Sequence, residues 1–172
     1  MNKKDTVVFD LDGTLLDTLE DLKNSVNYAM TQCGYPEHTL DEVRRYVGNG
    51  ILLLMQRAIP GGKDDPNFDK AFTLFKEHYG KHCNDTTKPY AGIMELLHTL
   101  KENNIKIAIV SNKADFAVKE LNAIYFKDLI LVAIGEKESE GIRKKPAPDT
   151  VIEALKQLGS TAENSVYIGD SD

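Results

Sequence analysis

The stretch that decides the fold is Thr6-Val7-Val8-Phe9-Asp10-Leu11-Asp12-Gly13-Thr14, in which a short apolar run ends in two carboxylates and a glycine. An apolar run rich in Val and without polar alternation is typical of a strand buried on both faces of a parallel sheet. Carboxylates at positions i and i+2 after such a strand can approach one site, while Gly13 relaxes the backbone where the chain must turn. Asp10 and Asp12 are therefore the first candidate functional residues.

Three later apolar segments have the same character as the first and lie at residues 105–110, 129–134 and 165–168. Between them, apolar residues recur at helical spacing, and a glycine or asparagine follows two of these helical patterns. Strands that alternate with helices along the chain indicate a parallel sheet covered by helices. The sequence therefore predicts an α/β domain with a doubly wound parallel sheet.

Residues 15–88 have a different pattern, with four helical patterns in a row and no convincing strand. The pair Thr18 and Asp21 resembles a capping box at the start of the first helix, and Thr39 with Glu42 opens the second. A helical insert followed by a return to the sheet divides the chain into two parts. We predict a core domain and an inserted α-helical cap, with the core at residues 1–14 and 89–172 and the cap at residues 15–88.

Composition and charge exclude several classes of function. The net charge of −6 argues against a nucleic-acid surface, because binding to a phosphate backbone needs clustered positive charge. No apolar run approaches the roughly 18 residues that a membrane span requires. Cys33 and Cys83 lie far apart in the sequence, which favours reduced thiols. We expect a cytoplasmic protein without nucleic-acid or membrane partners, and the sequence makes no prediction of its oligomeric state.

Polar residues follow each apolar segment, and ligands of open α/β sheets bind beyond the carboxyl ends of the strands. Asp10 and Asp12 follow the first segment, and three more polar stretches follow the others: Ser111-Asn112-Lys113, Lys144-Lys145-Pro146 and Gly169-Asp170-Ser171-Asp172. Two carboxylates near a hydroxyl, a lysine and a further acidic cluster suit phosphoryl transfer. One carboxylate can attack a phosphoryl group, and the other can protonate the leaving oxygen and then activate water.

That chemistry requires a divalent cation, because an anionic carboxylate must approach an anionic phosphate. Mg2+ prefers oxygen donors, and Asp170 is the natural further ligand. Ser111 can donate a hydrogen bond to a phosphoryl oxygen, and Lys145 can neutralise the charge that develops there. A lone Asp-x-Asp pair also binds metal in glycosyltransferases, but three further polar segments, each at a predicted strand end, favour phosphoryl transfer.

Together these segments resemble the haloacid dehalogenase-like (HAD) hydrolase superfamily, and specifically its phosphoglycolate phosphatase-like branch. The matching stretches are residues 8–17, 110–113, 145–148 and 167–171. The resemblance implies a Rossmann-like core, an inserted helical cap and a reaction through an aspartyl-phosphate. It covers essentially the whole chain.

The resemblance also implies a role for each matching residue. Asp10 would be the nucleophile and Asp12 the general acid and base. The Mg2+ ligands would be Asp10, the carbonyl of Asp12, and Asp170. The substrate phosphate would be bound by Thr14, Ser111, Asn112 and Lys145.

In the predicted cap, the stretch Arg44-Arg45-Tyr46-Val47-Gly48-Asn49-Gly50 resembles the segment that closes over the non-phosphate end of the substrate in this branch. Glycine allows close backbone approach, and an arginine can pair with a substrate carboxylate. Arg45 and Asn49 are therefore candidate substrate-binding residues. The alternative is that the glycines only separate two helices and the arginines are solvated.

These features predict a magnesium-dependent phosphatase that hydrolyses small phosphomonoesters, with phosphoglycolate as the preferred substrate. One alternative is a related capped member that acts on sugar phosphates or pyrophosphate, or a phosphomutase that uses the same aspartyl-phosphate. The resemblance also implies an acidic residue, a helix and a strand after Asp172, so that the C-terminal end of the core would be missing from this chain. A truncated and catalytically inactive form is therefore the other alternative.

Overall fold

The structure, a computed structural model, describes residues 4–170. The chain forms two compact units, of which one contains the chain up to Leu16 together with the chain from Pro89, and the other is Asp17–Lys88. Ser171 and Asp172, which belong to the predicted acidic segment, lie outside the described residues.

The described residues of the two units form six strands and seven α-helices. The strands are β1 (Thr6–Phe9), β2 (Leu16–Asp17), β3 (Lys88–Pro89), β4 (Lys106–Ala114), β5 (Val132–Glu136) and β6 (Ser165–Ile168). The helices are α1 (Leu19–Gln32), α2 (Leu40–Tyr46), α3 (Ile51–Ala58), α4 (Phe68–His82), α5 (Ile93–Glu102), α6 (Asp115–Tyr125) and α7 (Asp149–Leu158). No helix between residues 4 and 170 is both long enough and apolar enough to cross a membrane.

A four-stranded parallel sheet in the order β5-β4-β1-β6 forms the centre of the first unit. At its carboxyl edge, Phe9 of β1 pairs with Ile109 of β4 on one side and with Ile168 of β6 on the other. The residues that follow these strands therefore emerge at one edge of the sheet, as the sequence predicts. The predicted α/β class with a parallel sheet is confirmed.

Both faces of β1 and β4 are covered, which explains why these strands are apolar without alternation, whereas Val166, Tyr167 and Ile168 of the edge strand β6 are exposed. Phe9 and Ile109 point to the face that packs with Leu97 of α5 and with α6. Val8 and Val110 point to the opposite face, which packs with α7. Adjacent residues of a strand thus belong to different clusters, because successive side chains point to opposite faces.

Two of the predicted strands have different bounds in the structure. The segment predicted at residues 129–134 begins as strand β5 only at Val132, because Leu129 and Ile130 are buried in a turn whose N–H groups donate to the carbonyl of Phe126. An apolar run cannot distinguish a buried turn from a buried strand. The segment predicted at residues 105–110 continues as β4 to Ala114, which pairs with Glu136 of β5 beyond an irregularity in the register.

The second unit is helical. Of the two capping boxes predicted in it, one is present in the structure and the other is not. Thr39 and Glu42 form the predicted capping box at α2. Thr18 lies at the start of α1, but its side chain caps no N–H there, so the capping box predicted with Asp21 is wrong. The reason is long-range: Asp21 turns toward residues 86 and 87 instead.

Asp21 is a buried carboxylate, 1% exposed, that accepts five hydrogen bonds of 2.7–3.1 Å. The donors are the backbone N–H and the hydroxyl groups of Thr86 and Thr87. Burial raises the pKa of Asp21, but these hydrogen bonds outweigh burial and hold its pKa below the ordinary value. The ionised carboxylate therefore stabilises the end of the helical unit.

Replacing Asp21 by Asn should lower the free energy of unfolding at pH 7 by about 2 kcal/mol, because an amide loses the charge and turns N–H groups toward donors. The deficit should shrink as the pH falls below about 4, where the carboxylate of the unfolded chain begins to take up protons. The sign follows from the lowered pKa, since such a group stabilises only while it stays ionised. Urea denaturation at several pH values measures this difference. The matched control Asp64→Asn removes the same charge from an exposed carboxylate, and an equal loss there would contradict the interpretation.

Candidate active site

Asp10 follows β1 directly, and hydrogen bonds fix both its backbone and its carboxylate. Its backbone N–H donates to the carbonyl of Ile168 at 2.8 Å, which ties it to the end of β6. One carboxylate oxygen accepts from the N–H of Leu11 at 2.7 Å, and the other accepts from Nζ of Lys145 at 2.5 Å. Burial raises the pKa of Asp10, and the nearby ammonium of Lys145 opposes that rise. The carboxylate thus has a fixed orientation at the carboxyl edge of the sheet.

Lys145 lies in the loop between β5 and α7, and three groups determine its position. Its Nζ donates to Asp10 and also to the phenolic oxygen of Tyr167, at 2.8 Å. Its backbone N–H donates to Oδ1 of Asn112 at 2.9 Å, and its carbonyl accepts from Nδ2 of Asn112 at 3.1 Å. The Asn112 amide is therefore engaged with the backbone of Lys145, although the resemblance implies that it binds phosphate.

Asp12 pairs with a residue that the sequence analysis did not select. Its carboxylate accepts from Nζ of Lys113 at 2.9 Å, and the Lys113 side chain is only 4% exposed. A buried ammonium needs an anionic partner, because leaving it unpaired away from water is costly. The signal was present in the sequence, since Lys113 follows Ser111 at a predicted strand end, but its partner lies 101 residues away.

Asp170 lies against the loop that carries Asp12 and Gly13. Gly13 has a φ of 77°, and a Cβ at this position would overlap the carboxylate of Asp170. The positive φ favours glycine at this position, and any larger residue would displace the Asp170 carboxylate. The hydroxyl of Thr14 donates to the Asp170 carboxylate at 3.3 Å. The structure thus brings Asp170 and Thr14 together at the edge where Asp10 lies.

Ser111 and Tyr167 complete the edge. Ser111 is buried in β4, two residues beyond the partner of Phe9, and its Oγ accepts from the N–H of Lys113 at 3.2 Å. A hydroxyl that accepts in this way can still donate to a phosphoryl oxygen. Tyr167, which the sequence analysis did not select, accepts from Lys145, and burial raises its pKa.

The oxygen donors at this edge fit a hard divalent cation. Asp10 and Asp170 supply carboxylates, and the absence of a side chain at Gly13 lets the Asp170 carboxylate approach the backbone closely. The Asp12 carboxylate is directed at Lys113, so a cation here would take the Asp12 carbonyl, as the resemblance implies. Within residues 4–170, no three His, Cys, Asp or Glu side chains form a cluster that could hold a metal ion by side chains alone.

The two candidate residues of the helical unit lie near the connection between α2 and α3. Arg45 is exposed near the end of α2. Oδ1 of Asn49 accepts from Arg57 at 2.9 Å, and Arg57 also donates to the carbonyl of Tyr46 at 2.7 Å. Arg57 therefore fixes the orientation of the Asn49 amide. Arg57 was not among the residues predicted from the sequence. The positive φ of Gly50 marks the start of α3.

Comparison with known proteins agrees with this arrangement. The family model of haloacid dehalogenase-like hydrolases matches residues 7–172. A phosphoglycolate phosphatase of Aquifex aeolicus is 32% identical over 170 residues, covering 96% of this chain and 76% of that protein. A phosphoglycolate phosphatase of Pseudomonas putida is also 32% identical and covers 96% of this chain, which spans 62% of that protein's length.

A solved structure gives the same result. The crystal structure of a protein from Lactobacillus delbrueckii subsp. bulgaricus, provisionally named a phosphoglycolate phosphatase, superposes with a TM-score of 0.92 at 34% identity. The match covers 98% of this chain and 79% of that one. The chain belongs to the haloacid dehalogenase-like hydrolase family, in its phosphoglycolate phosphatase-like branch.

Proposed function

We propose that this protein is a magnesium-dependent phosphatase that hydrolyses small phosphomonoesters, with phosphoglycolate as its preferred substrate. The observation that carries the proposal is the Asp10 carboxylate, which is buried, oriented by Lys145 and adjacent to the end of β6 that carries Asp170. The names of the curated relatives support the choice of substrate.

In the first step, a carboxylate oxygen of Asp10 attacks the phosphorus, and the bond between the phosphorus and the ester oxygen breaks. Asp12 gives its proton to the leaving oxygen, so that an alcohol departs and an aspartyl-phosphate remains. In the second step, Asp12 takes a proton from water as that water attacks the phosphorus. The Asp10–phosphorus bond then breaks, and the products are inorganic phosphate and free Asp10.

The other residues at the edge act on charge. Lys145 and Ser111 would stabilise the negative charge that develops on the phosphoryl oxygens. A Mg2+ ion held by Asp10, Asp170 and the Asp12 carbonyl would supply the positive charge that lets a carboxylate approach a phosphate. Lys113 would hold the Asp12 carboxylate at the site between the two steps.

We also propose that the substrate is met in the cytoplasm. Cys33 and Cys83 are both free thiols in the structure, which suits a reducing compartment. The net charge of −6 does not suit a nucleic-acid partner, and it does not prevent binding of a small phosphorylated metabolite at a lysine-bearing site.

The test is phosphate release from a panel of substrates, with Mg2+ and with a chelator. We expect phosphoglycolate to have the highest kcat/KM, above sugar phosphates and pyrophosphate, and we expect activity to disappear with the chelator and return with Mg2+. A higher kcat/KM for pyrophosphate or a sugar phosphate would contradict the proposed substrate. No phosphate release from any substrate with Mg2+ would contradict the proposed activity.

We further propose that Arg45 and Asn49 determine substrate selectivity. Arg45→Ala or Asn49→Ala should lower kcat/KM for phosphoglycolate by about 10- to 150-fold, since a lost charge-assisted hydrogen bond costs about 1.5–3 kcal/mol. Hydrolysis of p-nitrophenyl phosphate should change less than about twofold, because this substrate has no carboxylate for these two residues to bind. Parallel measurements of kcat/KM for the two substrates test this prediction. Arg44→Ala is the matched control, because Arg44 is exposed next to Arg45 and pairs with Asp41; equal losses on both substrates would contradict a role in selectivity.

A further inference from the structure

Asn112 contacts Lys145 in a way that a phosphate ligand would not. Its side-chain amide forms two hydrogen bonds to the backbone of that one residue, from Lys145 N–H to Oδ1 and from Nδ2 to the Lys145 carbonyl. The orientation of the amide is determined, since a backbone N–H can only donate and a carbonyl can only accept. The two bonds therefore hold the peptide groups on both sides of the Lys145 Cα.

We propose that Asn112 is a positioning residue that fixes the backbone of Lys145, so that the lysine ammonium reaches Asp10. The inference rests on the proposed function and reassigns Asn112 from contact with the substrate phosphate to support of Lys145. Asn112 lies in the part of β4 beyond Ile109, the last residue paired with β1, and between Val110 and Ala114, which both pair with β5, whereas Lys145 lies in a loop. One side chain of β4 thus connects this strand to the loop that carries Lys145.

The side chain of Lys145 needs such support because it is long and flexible. A lysine loses about 2 kcal/mol of rotamer entropy when it is held in one conformation. In this protein its Nζ lies between two acceptors, Oδ2 of Asp10 at 2.5 Å and the phenolic oxygen of Tyr167 at 2.8 Å. Asn112 fixes the start of the side chain and these acceptors fix its end. Without Asn112, the ammonium would be free to leave the narrow region in which it contacts Asp10.

The test combines kinetics with a measurement that needs no activity. Asn112→Ala should lower kcat for phosphoglycolate by about 10²-fold with a smaller change in KM, because a displacement of about 1 Å at a reacting group costs that much. The same substitution in a Lys145→Ala background should change kcat less than about twofold, since residues that act through one another are not additive.

The second measurement is acetylation of lysines by acetic anhydride, followed by mass spectrometry. Lys145 is 13% exposed by its side chain and Lys119 is 58% exposed, so Lys119 serves as the internal reference. Acetylation of Lys145 relative to Lys119 should rise several-fold in Asn112→Ala. The control Asn122→Ala removes a similar bond from the side-chain amide to the carbonyl of Ile130, and it should change neither kcat nor the labelling of Lys145.

Three results would overturn the inference. The first is an equal loss from Asn112→Ala in the wild-type and Lys145→Ala backgrounds, which would indicate direct contact with the substrate. The second is unchanged kcat in Asn112→Ala, and the third is unchanged labelling of Lys145 in a folded variant. A wild-type protein without phosphatase activity would instead contradict the proposed function, and the labelling experiment would still test the positioning of Lys145.

Discussion

Asp10→Asn should reduce magnesium-dependent phosphate release by about 10⁴-fold or more, because an amide is a poor nucleophile and cannot form the aspartyl-phosphate. The substitution also removes the negative charge that Lys145 contacts at 2.5 Å and one carboxylate of the proposed cation site. The measurement is single-turnover and steady-state phosphate release with phosphoglycolate at saturating Mg2+.

A matched substitution separates this effect from a general effect of charge. Asp128→Asn replaces an exposed carboxylate of the same unit and should leave kcat unchanged. Thermal unfolding of both variants checks that each is folded. Phosphate release within tenfold of wild type in Asp10→Asn would refute the assignment of the nucleophile.

Asp12→Asn should lower kcat for phosphoglycolate by about 10²–10⁴-fold, the range that a positioned general acid and base contributes. The loss should be smaller in the first step for p-nitrophenyl phosphate, because its leaving group departs without a proton. The second step still needs a base, so aspartyl-phosphate should accumulate. Intact-protein mass spectrometry after rapid acid quenching detects it. The amide oxygen of Asn can still accept a hydrogen bond from Lys113, but the buried ammonium loses its anionic partner, so thermal unfolding must show that the variant is folded.

The double variant Asp10→Asn with Asp12→Asn provides the control, since it should form no phospho-protein from any substrate. Absence of phospho-protein in Asp12→Asn alone, with p-nitrophenyl phosphate at saturating Mg2+, would show that Asp12 serves binding or folding and not proton transfer.

The sequence predicted the parts of the fold that local pattern controls. Strands β1 and β6 have the predicted bounds, because each is an apolar run followed by a residue type that is disfavoured in strands, Asp10 and Gly169. The capping box at Thr39 and Glu42 is likewise local, since its two residues lie one helical turn apart. Where a distant contact competes, local pattern misleads: Asp21 is placed like a capping residue, but it serves Thr86 and Thr87.

For the candidate site, the sequence predicted which residues gather there but not which of them contact one another. The order of polar residues after the apolar runs was enough to select Asp10, Asp12, Ser111 and Asp170, because parallel strands carry whatever follows them to one edge. The choice of Lys145 over its neighbour Lys144 came from the resemblance, in which the lysine directly precedes a proline. The order does not say which group contacts which. Asn112 illustrates this, since its position suggests substrate, whereas its amide holds a loop.

The sequence by itself therefore determined the α/β class, the family and the residues that gather at the edge of the sheet. Only the tertiary structure decided the pairs, with Lys145 on Asp10 across 135 residues of chain and Lys113 on Asp12 across 101. The physical reason is that strand and helix patterns arise from neighbours along the chain, whereas a buried charge takes its partner from whichever distant segment the packed sheet brings within hydrogen-bonding distance.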